Sequence, residues 1–185
     1  MEKKIKRKKR PTELCLFLID TIISFAVVMV LIHFVIRPIQ VKGRSMYPTL
    51  EDGSFGFSNT IGYHMSGLKR FDVVILYLPE KKEYLVKRII ALPGEKIAYK
   101  NSQLYINDQP VVESFLNTKY RYQYGPNFTL GVKEMIVPQD TYCCLGDNRP
   151  NSSDSRVYGP FKKSQIVSKG VFICFPFSDF GVKTW

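Results

Sequence analysis

The chain has 185 residues, a formal net charge of +11 and 45% hydrophobic residues, which suits one domain or a membrane anchor plus one domain. The apolar content excludes a fully disordered chain, four cysteines are too few for a disulfide scaffold, and no fixed-period repeat indicates a solenoid. Residues 1–10 hold seven Lys or Arg against one Glu, so +6 of the +11 lies at one end.

A long apolar segment, residues 14–36, follows this basic end. A helix of that length would extend about 35 Å, enough to cross a hydrocarbon core of about 30 Å. Basic residues flank its N-terminal side, which predicts a cytoplasmic basic segment over residues 1–13. We therefore expect a single transmembrane anchor in the cell membrane, with the rest of the chain on the extracellular side.

Two alternatives explain this end of the chain less well. A cleavable signal peptide has a shorter apolar core followed by small residues, whereas residues 35–38 read VIRP. An arm that binds nucleic acid leaves the apolar span unexplained, and a basic run beside a span is typical of lipid contact. The expected partner of this region is the lipid bilayer and not a nucleic acid. Asp20, inside the span, is expected near the cytoplasmic headgroups or protonated.

After Pro38 the sequence changes to short apolar runs separated by Gly, Pro, Asn and Asp, which predicts a mainly antiparallel β-sheet or barrel-like core. Asn107 and Asp108 predict a hairpin turn between two of these runs. Residues 113–134 are polar and aromatic and are expected to form an excursion from the core. The predicted strands cover residues 71–78, 84–92, 103–106, 111–112, 135–137, 141–145 and 166–175.

The cysteines and glycines give no sign of a metal or a cofactor. Cys143 and Cys144 are adjacent on a predicted strand, so their side chains should point to opposite faces. Free buried thiols are the expectation, and a disulfide from one of them to Cys174 is the alternative. No spacing matches a zinc site, and no phosphate-binding glycine motif is present, so no metal or cofactor is expected.

The first group of candidate functional residues is GRSMYPTL, residues 43–50. Pro48 holds Tyr47 extended, and Gly43 permits close approach of the backbone. Such a loop can present the hydroxyl of Ser45 and its own N–H to the same incoming group. The alternative is an ordinary solvated serine in a turn.

The second group surrounds Lys87. On a strand, Lys87 would share a face with Leu85, Ile89 and Ala91, and a lysine among apolar neighbours is unusual. Removing its ammonium from water lowers its pKa, and a neutral amine can take a proton from a hydroxyl. The alternative is a strand near the sheet edge, from which the lysine reaches solvent.

The third group is the polar loop at residues 145–156, which follows an apolar strand. Its hydroxyls could orient an amine, and Asp154 is expected to pair with Arg156. The alternative is a long surface turn rich in Asn, Asp and Ser.

Other serine chemistries fit the sequence less well. A Ser-His-Asp triad would have to use His64, which no local pattern marks. Ser66 and Lys69 have S-x-x-K spacing, but the S-D-N and K-T-G tripeptides that accompany this motif are absent from the sequence.

These groups, in this order behind an apolar span, resemble the type I signal peptidases. GRSMYPTL looks like the nucleophile box of that family, and RFDVV, residues 70–74, looks like its next box. Lys87 and Arg88, before the LPGE of residues 92–95, look like the general-base box. GDNR, residues 146–149, with the residues up to 156, looks like the last box. The similarity runs from about residue 37 to residue 175.

The resemblance implies a serine endopeptidase with a Ser-Lys dyad. Ser45 would attack the peptide carbonyl and form an acyl-enzyme, with Lys87 as the general base. Ser152 would hydrogen-bond the Lys87 amine. The loop that carries Ser152 would be braced by Asp147, Asp154 and Arg156.

The resemblance also implies that the backbone N–H of Ser45 stabilises the oxyanion. Some members carry a serine two positions earlier whose hydroxyl assists, whereas Gly43 stands there in this chain, so a backbone N–H must serve. Met46 is expected to contact the substrate. Pro150 stands where an acidic residue often follows GDNR, which leaves the bracing of the loop open but not the dyad.

The family fold implies a catalytic β core over residues 37–96 and 139–185, with a small inserted cap domain over residues 97–138, as in the small Gram-positive form. The implied substrates are secreted preproteins with signal peptides, cut after small residues as in Ala-x-Ala. They would bind extended, as an added strand. Partners in the secretion or pilus-assembly machinery stay open.

Two other functions stay open as alternatives. A self-cleaving Ser-Lys protease of the repressor type has a similar core, but such proteins are cytosolic and carry a DNA-binding head. A non-catalytic, membrane-anchored β domain could act as a chaperone in surface-protein or pilus assembly.

Overall fold

The computed structural model describes residues 12–60 and 67–183. The basic segment, His64 and Ser66 lie outside the described residues, so the expectations attached to them stay predictions.

The predicted apolar helix is present as α1, Glu13–Val35, one residue away from the expected bounds at each end. It is the one helix in the described ranges that is long and apolar enough to cross a membrane. Its side chains over residues 13–30 are exposed, and an apolar helix that no protein covers is typical of a segment that contacts lipid. The first strand begins at Ile36, directly after the helix.

The rest of the described chain is mainly β, and every strand pair in it is antiparallel. The strands are β1 (Ile36–Gln40), β2 (Phe55–Asn59), β3 (Val73–Leu78), β4 (Glu83–Ala91), β5 (Lys96–Lys100), β6 (Gln103–Ile106), β7 (Gln109–Val111), β8 (Met135–Ile136), β9 (Thr141–Leu145), β10 (Phe161–Lys162), β11 (Ile166–Phe175) and β12 (Gly181–Lys183). An eight-stranded sheet has the order β1-β2-β11-β3-β4-β9-β10, with β12 paired to β11, and a four-stranded sheet has the order β7-β6-β5-β8.

The predicted fold class, mainly antiparallel β, is confirmed, and each predicted strand corresponds to an observed one. The sequence did not predict β1, β2, β5, β10 or β12. In β2 the exposed residues are Phe55 and Phe57, whereas Gly56 and Ser58 are buried. The hydrophobic residues of this strand therefore mark its exposed face and not its buried face. A Cβ on Gly56 would overlap the backbone of Phe172 in β11, so this close strand pairing requires glycine.

The predicted hairpin turn at Asn107 and Asp108 is also confirmed. It joins β6 to β7, and both residues have positive φ angles of 50° and 65°. Asparagine and aspartate tolerate this conformation better than other residues with side chains, which is why they mark such turns.

The expectation that residues 113–134 form an excursion from the core is wrong for part of the segment. Short helix α2, Thr118–Tyr122, has no buried residue, but Glu113, Phe128 and Thr129 are buried. The physical reason is Arg149, whose fully buried guanidinium donates to Glu113 and Thr129. The buried charge therefore ties this segment to the loop after β9.

The four-stranded sheet lies within residues 96–136 and shares a hydrophobic core with the larger sheet. That shared core joins Ile97, Leu104 and Ile106 to Ile90 of β4 and Leu145 of β9. The division into a catalytic core, residues 37–96 and 139–185, and a cap, residues 97–138, stays a prediction.

The cysteine expectations are confirmed for the described residues. All four thiols are free. Cys143 packs with Ile90 and Cys144 packs with Ile89, on opposite faces of the sheet. Burial raises the pKa of Cys143 to about 12 and raises that of Cys144 well above its ordinary value, so both thiols are protonated at neutral pH.

Replacing Glu113 with Ala should lower the free energy of unfolding by about 3–5 kcal/mol, because it leaves the Arg149 guanidinium buried without its carboxylate. Both side chains are almost inaccessible, at 0% and 2% exposure. The matched control is Glu134→Ala, since Glu134 pairs with Lys96 in solvent and should matter little. Urea unfolding of the detergent-solubilised proteins measures both. Equal losses in the two variants would contradict this account of the buried pair.

Candidate active site

Ser45 lies in the tight loop between β1 and β2. Val41, Met46 and Leu50, on either side of it, are buried in one hydrophobic cluster and anchor the loop. The backbone N–H of Gly43, which has a φ of +82°, donates to Asp52 Oδ1 at 2.8 Å. The loop is thus fixed at its start and along its length, and Ser45 itself stays partly exposed.

Lys87 lies in β4 and is 2% exposed. Its Nζ atom is 2.6 Å from Ser45 Oγ. Burial lowers the pKa of Lys87 to about 8; the charge of Asp154 opposes this shift and that of Arg156 adds to it. The prediction of a buried lysine is confirmed, and the alternative of a lysine that reaches solvent is wrong.

The strand pattern predicted around Lys87 holds for most of its length. Leu85 and Ile89 pack on one side of the sheet, and Val86 and Ile90 pack in other clusters. The expected alternation fails at Ala91, which packs with Ile90, because the pairing of β4 with β9 shifts register there.

Asp147 connects β4, the strand that carries Lys87, to the loop that carries Ser45. Its two carboxylate oxygens accept from Arg88 Nε at 2.9 Å and from Arg88 Nη2 at 2.7 Å. Thr49 Oγ1 donates to the same carboxylate at 2.6 Å. Asp147 therefore braces residues on both sides of the site and not only the loop that carries it.

Asn148 holds the nucleophile loop through two carbonyl groups. Its backbone N–H donates to Ser45 O at 3.0 Å, and its side-chain Nδ2 donates to Arg44 O at 2.8 Å. Tyr120 of α2 donates its hydroxyl proton to Asn148 Oδ1 at 2.9 Å. The segment after β7 thus reaches the residue that fixes Ser45.

Asp154 and Arg156 form the expected ion pair, with Arg156 Nη2 and Asp154 Oδ2 at 2.8 Å. Burial alone would raise the pKa of Asp154, but the hydrogen bonds and charge of Arg156 outweigh it and lower that pKa. Asp154 also accepts from the backbone N–H of Gly146 and caps short helix α3, Ser155–Tyr158. Arg156 donates to Ser152 O at 3.2 Å, so this pair braces the loop that carries Ser152.

Ser152 differs from its expectation. Its Oγ is buried, and the expected bond to the Lys87 amine is not formed in this structure. Its polar neighbour is the Asp154 carboxylate, whose pKa the Ser152 hydroxyl helps to lower. The hydroxyl can pack this close to Ser45 because residue 146 is a glycine. A Cβ on Gly146 would overlap both Ser152 Oγ and the carbonyl oxygen of Ser45. The hydroxyl therefore lies beside the loop that carries Ser45.

A cavity of about 760 Å³ opens beside Ser45 and Lys87. Met46, the residue expected to contact substrate, is 1% exposed and lines this cavity, whereas Gly43 does not. Residues 37–42 form one wall and residues 83–87 another. In the described ranges, no group of three or more His, Cys, Asp or Glu side chains could hold a metal ion.

Sequence reasoning missed several residues that hold the site together. Arg88 lies next to Lys87, and Thr49 lies in the same loop as Ser45. Their shared partner, Asp147, is far from both in the sequence. Asn148 lies in the GDNR motif, but no role was predicted for it. Tyr120 and Glu113 lie in a segment with no periodic pattern, and no signal in the sequence marks their contacts.

Comparisons with known proteins identify the family of the chain. The profile of the family described as "Signal peptidase, peptidase S26" matches residues 15–175. Signal peptidase IB of Staphylococcus aureus (strain Mu50) is 36% identical over 178 residues, which cover 91% of this chain and 93% of that protein. Signal peptidase I of Bacillus amyloliquefaciens is 39% identical over 161 residues, which cover 85% of this chain and 83% of that protein. A crystal structure of a signal peptidase I from Enterococcus faecalis V583 has 30% identity and a TM-score of 0.49, covering 55% of this chain and 95% of that chain.

Replacing Gly146 with Ala should lower kcat/KM about 100-fold, since the added methyl group must displace Ser45 or Ser152 and such displacements are costly in a preorganised site. Ser153→Ala in the same loop is the control, because Ser153 is exposed. Peptide cleavage assays on both variants measure the effect. Parental activity in Gly146→Ala would show that this packing does not position the nucleophile.

Proposed function

The chain belongs to the signal peptidase family, peptidase S26, and from that premise we propose that it removes signal peptides from preproteins with a catalytic dyad of Ser45 and Lys87. It is a serine protease of the signal peptidase I type, and its substrates are preproteins that carry signal peptides. The observation that carries the proposal is the 2.6 Å contact between a buried lysine amine and a serine hydroxyl beside an open cavity.

Lys87 acts first, as the general base. A pKa of about 8 leaves roughly a tenth of the amine neutral at pH 7, and the neutral amine can accept the hydroxyl proton across the 2.6 Å contact. As Ser45 Oγ attacks the scissile carbonyl carbon, its proton passes to Lys87 Nζ. No rearrangement is needed, because the two atoms are already in contact.

The carbonyl oxygen gains negative charge in this step and needs hydrogen-bond donors. The backbone N–H of Ser45 has no acceptor in the described parts of the chain, so it is free to donate. The N–H of Gly43 is occupied by Asp52. We therefore assign the oxyanion role to the N–H of Ser45.

Collapse of the tetrahedral intermediate breaks the peptide bond and leaves an acyl-enzyme. The Lys87 ammonium returns its proton to the leaving amine, which becomes the new N-terminus of the mature protein. The neutral amine then takes a proton from water, whose oxygen attacks the ester. Release of the signal peptide carboxylate restores the Ser45 hydroxyl.

The cavity favours an extended, uncharged peptide. β1 is the end strand of its sheet and contributes residues 37–40 to the cavity wall, so a peptide can pair with its free edge. Ile39, Val41 and Met46 make the lining near Ser45 apolar, which suits small uncharged side chains as in Ala-x-Ala. Ser152 is proposed to orient the amine once substrate excludes water.

Helix α1 is proposed to anchor the enzyme in the cell membrane. The basic N-terminal segment would remain in the cytoplasm, and the catalytic sheet would lie on the extracellular side. Because β1 follows the helix directly, the cavity wall begins at the point where the chain leaves the membrane. A substrate held in the same membrane would present its cleavage site at that height.

Ser45→Ala and Lys87→Met should each lower kcat about 1000-fold or more on a synthetic preprotein, because each removes one half of the dyad. Methionine fills the volume of the lysine stem without an amine. Ser153→Ala and Lys163→Met are matched exposed controls that should keep parental activity. Cleavage of the chain itself without cleavage of the substrate would support a self-cleaving protease instead, and full activity in either dyad variant would overturn the mechanism.

Activity should rise with pH through an apparent pKa near 8 in kcat/KM. Below that value the amine is protonated and cannot accept the Ser45 proton, so activity falls about tenfold per pH unit. Above it the profile should level off, well before the ordinary lysine value of about 10.4. Initial rates over about pH 6 to 10 test this, and a rise centred near the ordinary value would contradict a desolvated base.

A further inference from the structure

We propose that Tyr120 and Asn148 are positioning residues that orient the Ser45 backbone N–H toward the oxyanion. The inference rests on the proposed function, since it concerns the donor assigned there. Its basis is two hydrogen bonds that lead from Tyr120 of α2 through Asn148 to the peptide group before Ser45, and a third from the Asn148 N–H to the Ser45 carbonyl.

The contacts fix the direction of each group. The carbonyl oxygen of Arg44 can only accept, so the Asn148 carboxamide must turn its Nδ2 toward it, at 2.8 Å. This leaves Asn148 Oδ1 facing Tyr120, whose hydroxyl donates to it at 2.9 Å. Removing the Tyr120 hydroxyl would leave that buried oxygen without its donor and would free the carboxamide to rotate.

The geometry of the peptide group carries this constraint to Ser45. The bond between Arg44 and Ser45 is trans, so the Arg44 carbonyl and the Ser45 N–H lie in one plane and point in opposite directions. The hydrogen bonds that hold the carbonyl, from Asn148 Nδ2 and from the Tyr47 N–H at 3.1 Å, therefore also set the direction of the Ser45 N–H. The Asn148 backbone N–H holds the Ser45 carbonyl at 3.0 Å, which fixes the next peptide plane as well.

This control matters more in a chain with Gly43 than in one with a hydroxyl at that position. Gly43 supplies no side chain, and its N–H is bound to Asp52. The orientation of a single backbone N–H then decides how well the oxyanion is stabilised.

Tyr120 is itself held in place by its surroundings. Its ring makes an edge contact with Tyr47 of the nucleophile loop, with centroids 5.3 Å apart. On its other side it contacts Tyr124 and the buried Phe128. Asn117 caps α2 by accepting from the Tyr120 N–H at 2.9 Å. The segment between β7 and β8 thus presents the hydroxyl from a packed position.

The test compares Tyr120→Phe with Tyr122→Phe in the full-length enzyme. Tyr122 lies in the same helix, is 81% exposed and contacts none of these groups, so its variant should behave like the parent. Tyr120→Phe keeps the ring contacts and removes only the hydroxyl. It should lower kcat about 5- to 10-fold, as expected for one lost hydrogen bond.

Three further readouts separate positioning from a general structural effect. KM should stay within about twofold, because the substrate ground state does not use the oxyanion donor. The apparent pKa near 8 should not move, because Lys87 is untouched. A peptide aldehyde ending in alaninal, whose hemiacetal oxygen occupies the oxyanion position, should bind 5- to 10-fold more weakly, in proportion to the loss of kcat.

The proposal fails if Tyr120→Phe equals Tyr122→Phe in kcat, if the loss appears only in KM, or if the pH profile shifts. Each of these results leaves the dyad intact, whereas an active Ser45→Ala would remove the dyad and this inference together. Asn148→Ala should cause a larger loss of kcat, up to about 100-fold, which approaches the effect of losing an oxyanion donor.

Discussion

The site depends on keeping the Lys87 amine out of water. Lowering the pKa from 10.5 to about 8 shifts the preference toward the neutral amine by about 3 kcal/mol relative to a lysine in water. The fold supplies this preference by placing the lysine in a strand between β3 and β9, beside strands that build the core. Since Asp154 and Asp147 would stabilise the charged form, burial must outweigh two nearby acids. Those acids are kept from reversing the shift because each is paired with an arginine.

The loop after β9 organises the other two parts of the site. Asp147 links Arg88, next to Lys87, with Thr49 in the loop that carries Ser45. Asn148, the next residue, holds the carbonyl groups on both sides of the Ser45 N–H. Catalytic geometry thus comes from contacts between segments that are about 50 to 100 residues apart, and short local motifs only supply the groups that meet.

Sequence reasoning recovered what local patterns encode. Alternation and composition gave the antiparallel class and the predicted strands, and an apolar face around Lys87 gave its burial and lowered pKa. It did not recover β2, because Phe55 and Phe57 point outward there. It also did not recover the partner of Arg149, since a buried ion pair can be recognised only when both residues are placed. Ser152 was assigned to the amine from resemblance, and the structure does not form that bond.

The segment between β7 and β8 therefore does more than cover the catalytic sheet. Glu113 neutralises the buried Arg149, and Tyr120 fixes the orientation of Asn148. Both of these partners belong to the loop after β9, so stability and nucleophile geometry are coupled through the same few residues. A backbone N–H cannot change its chemistry by substitution, and only its direction can be tuned. In the proposed mechanism Gly43 supplies no side-chain donor. The residues that set the peptide plane before Ser45 are then the means by which the sequence adjusts stabilisation of the oxyanion.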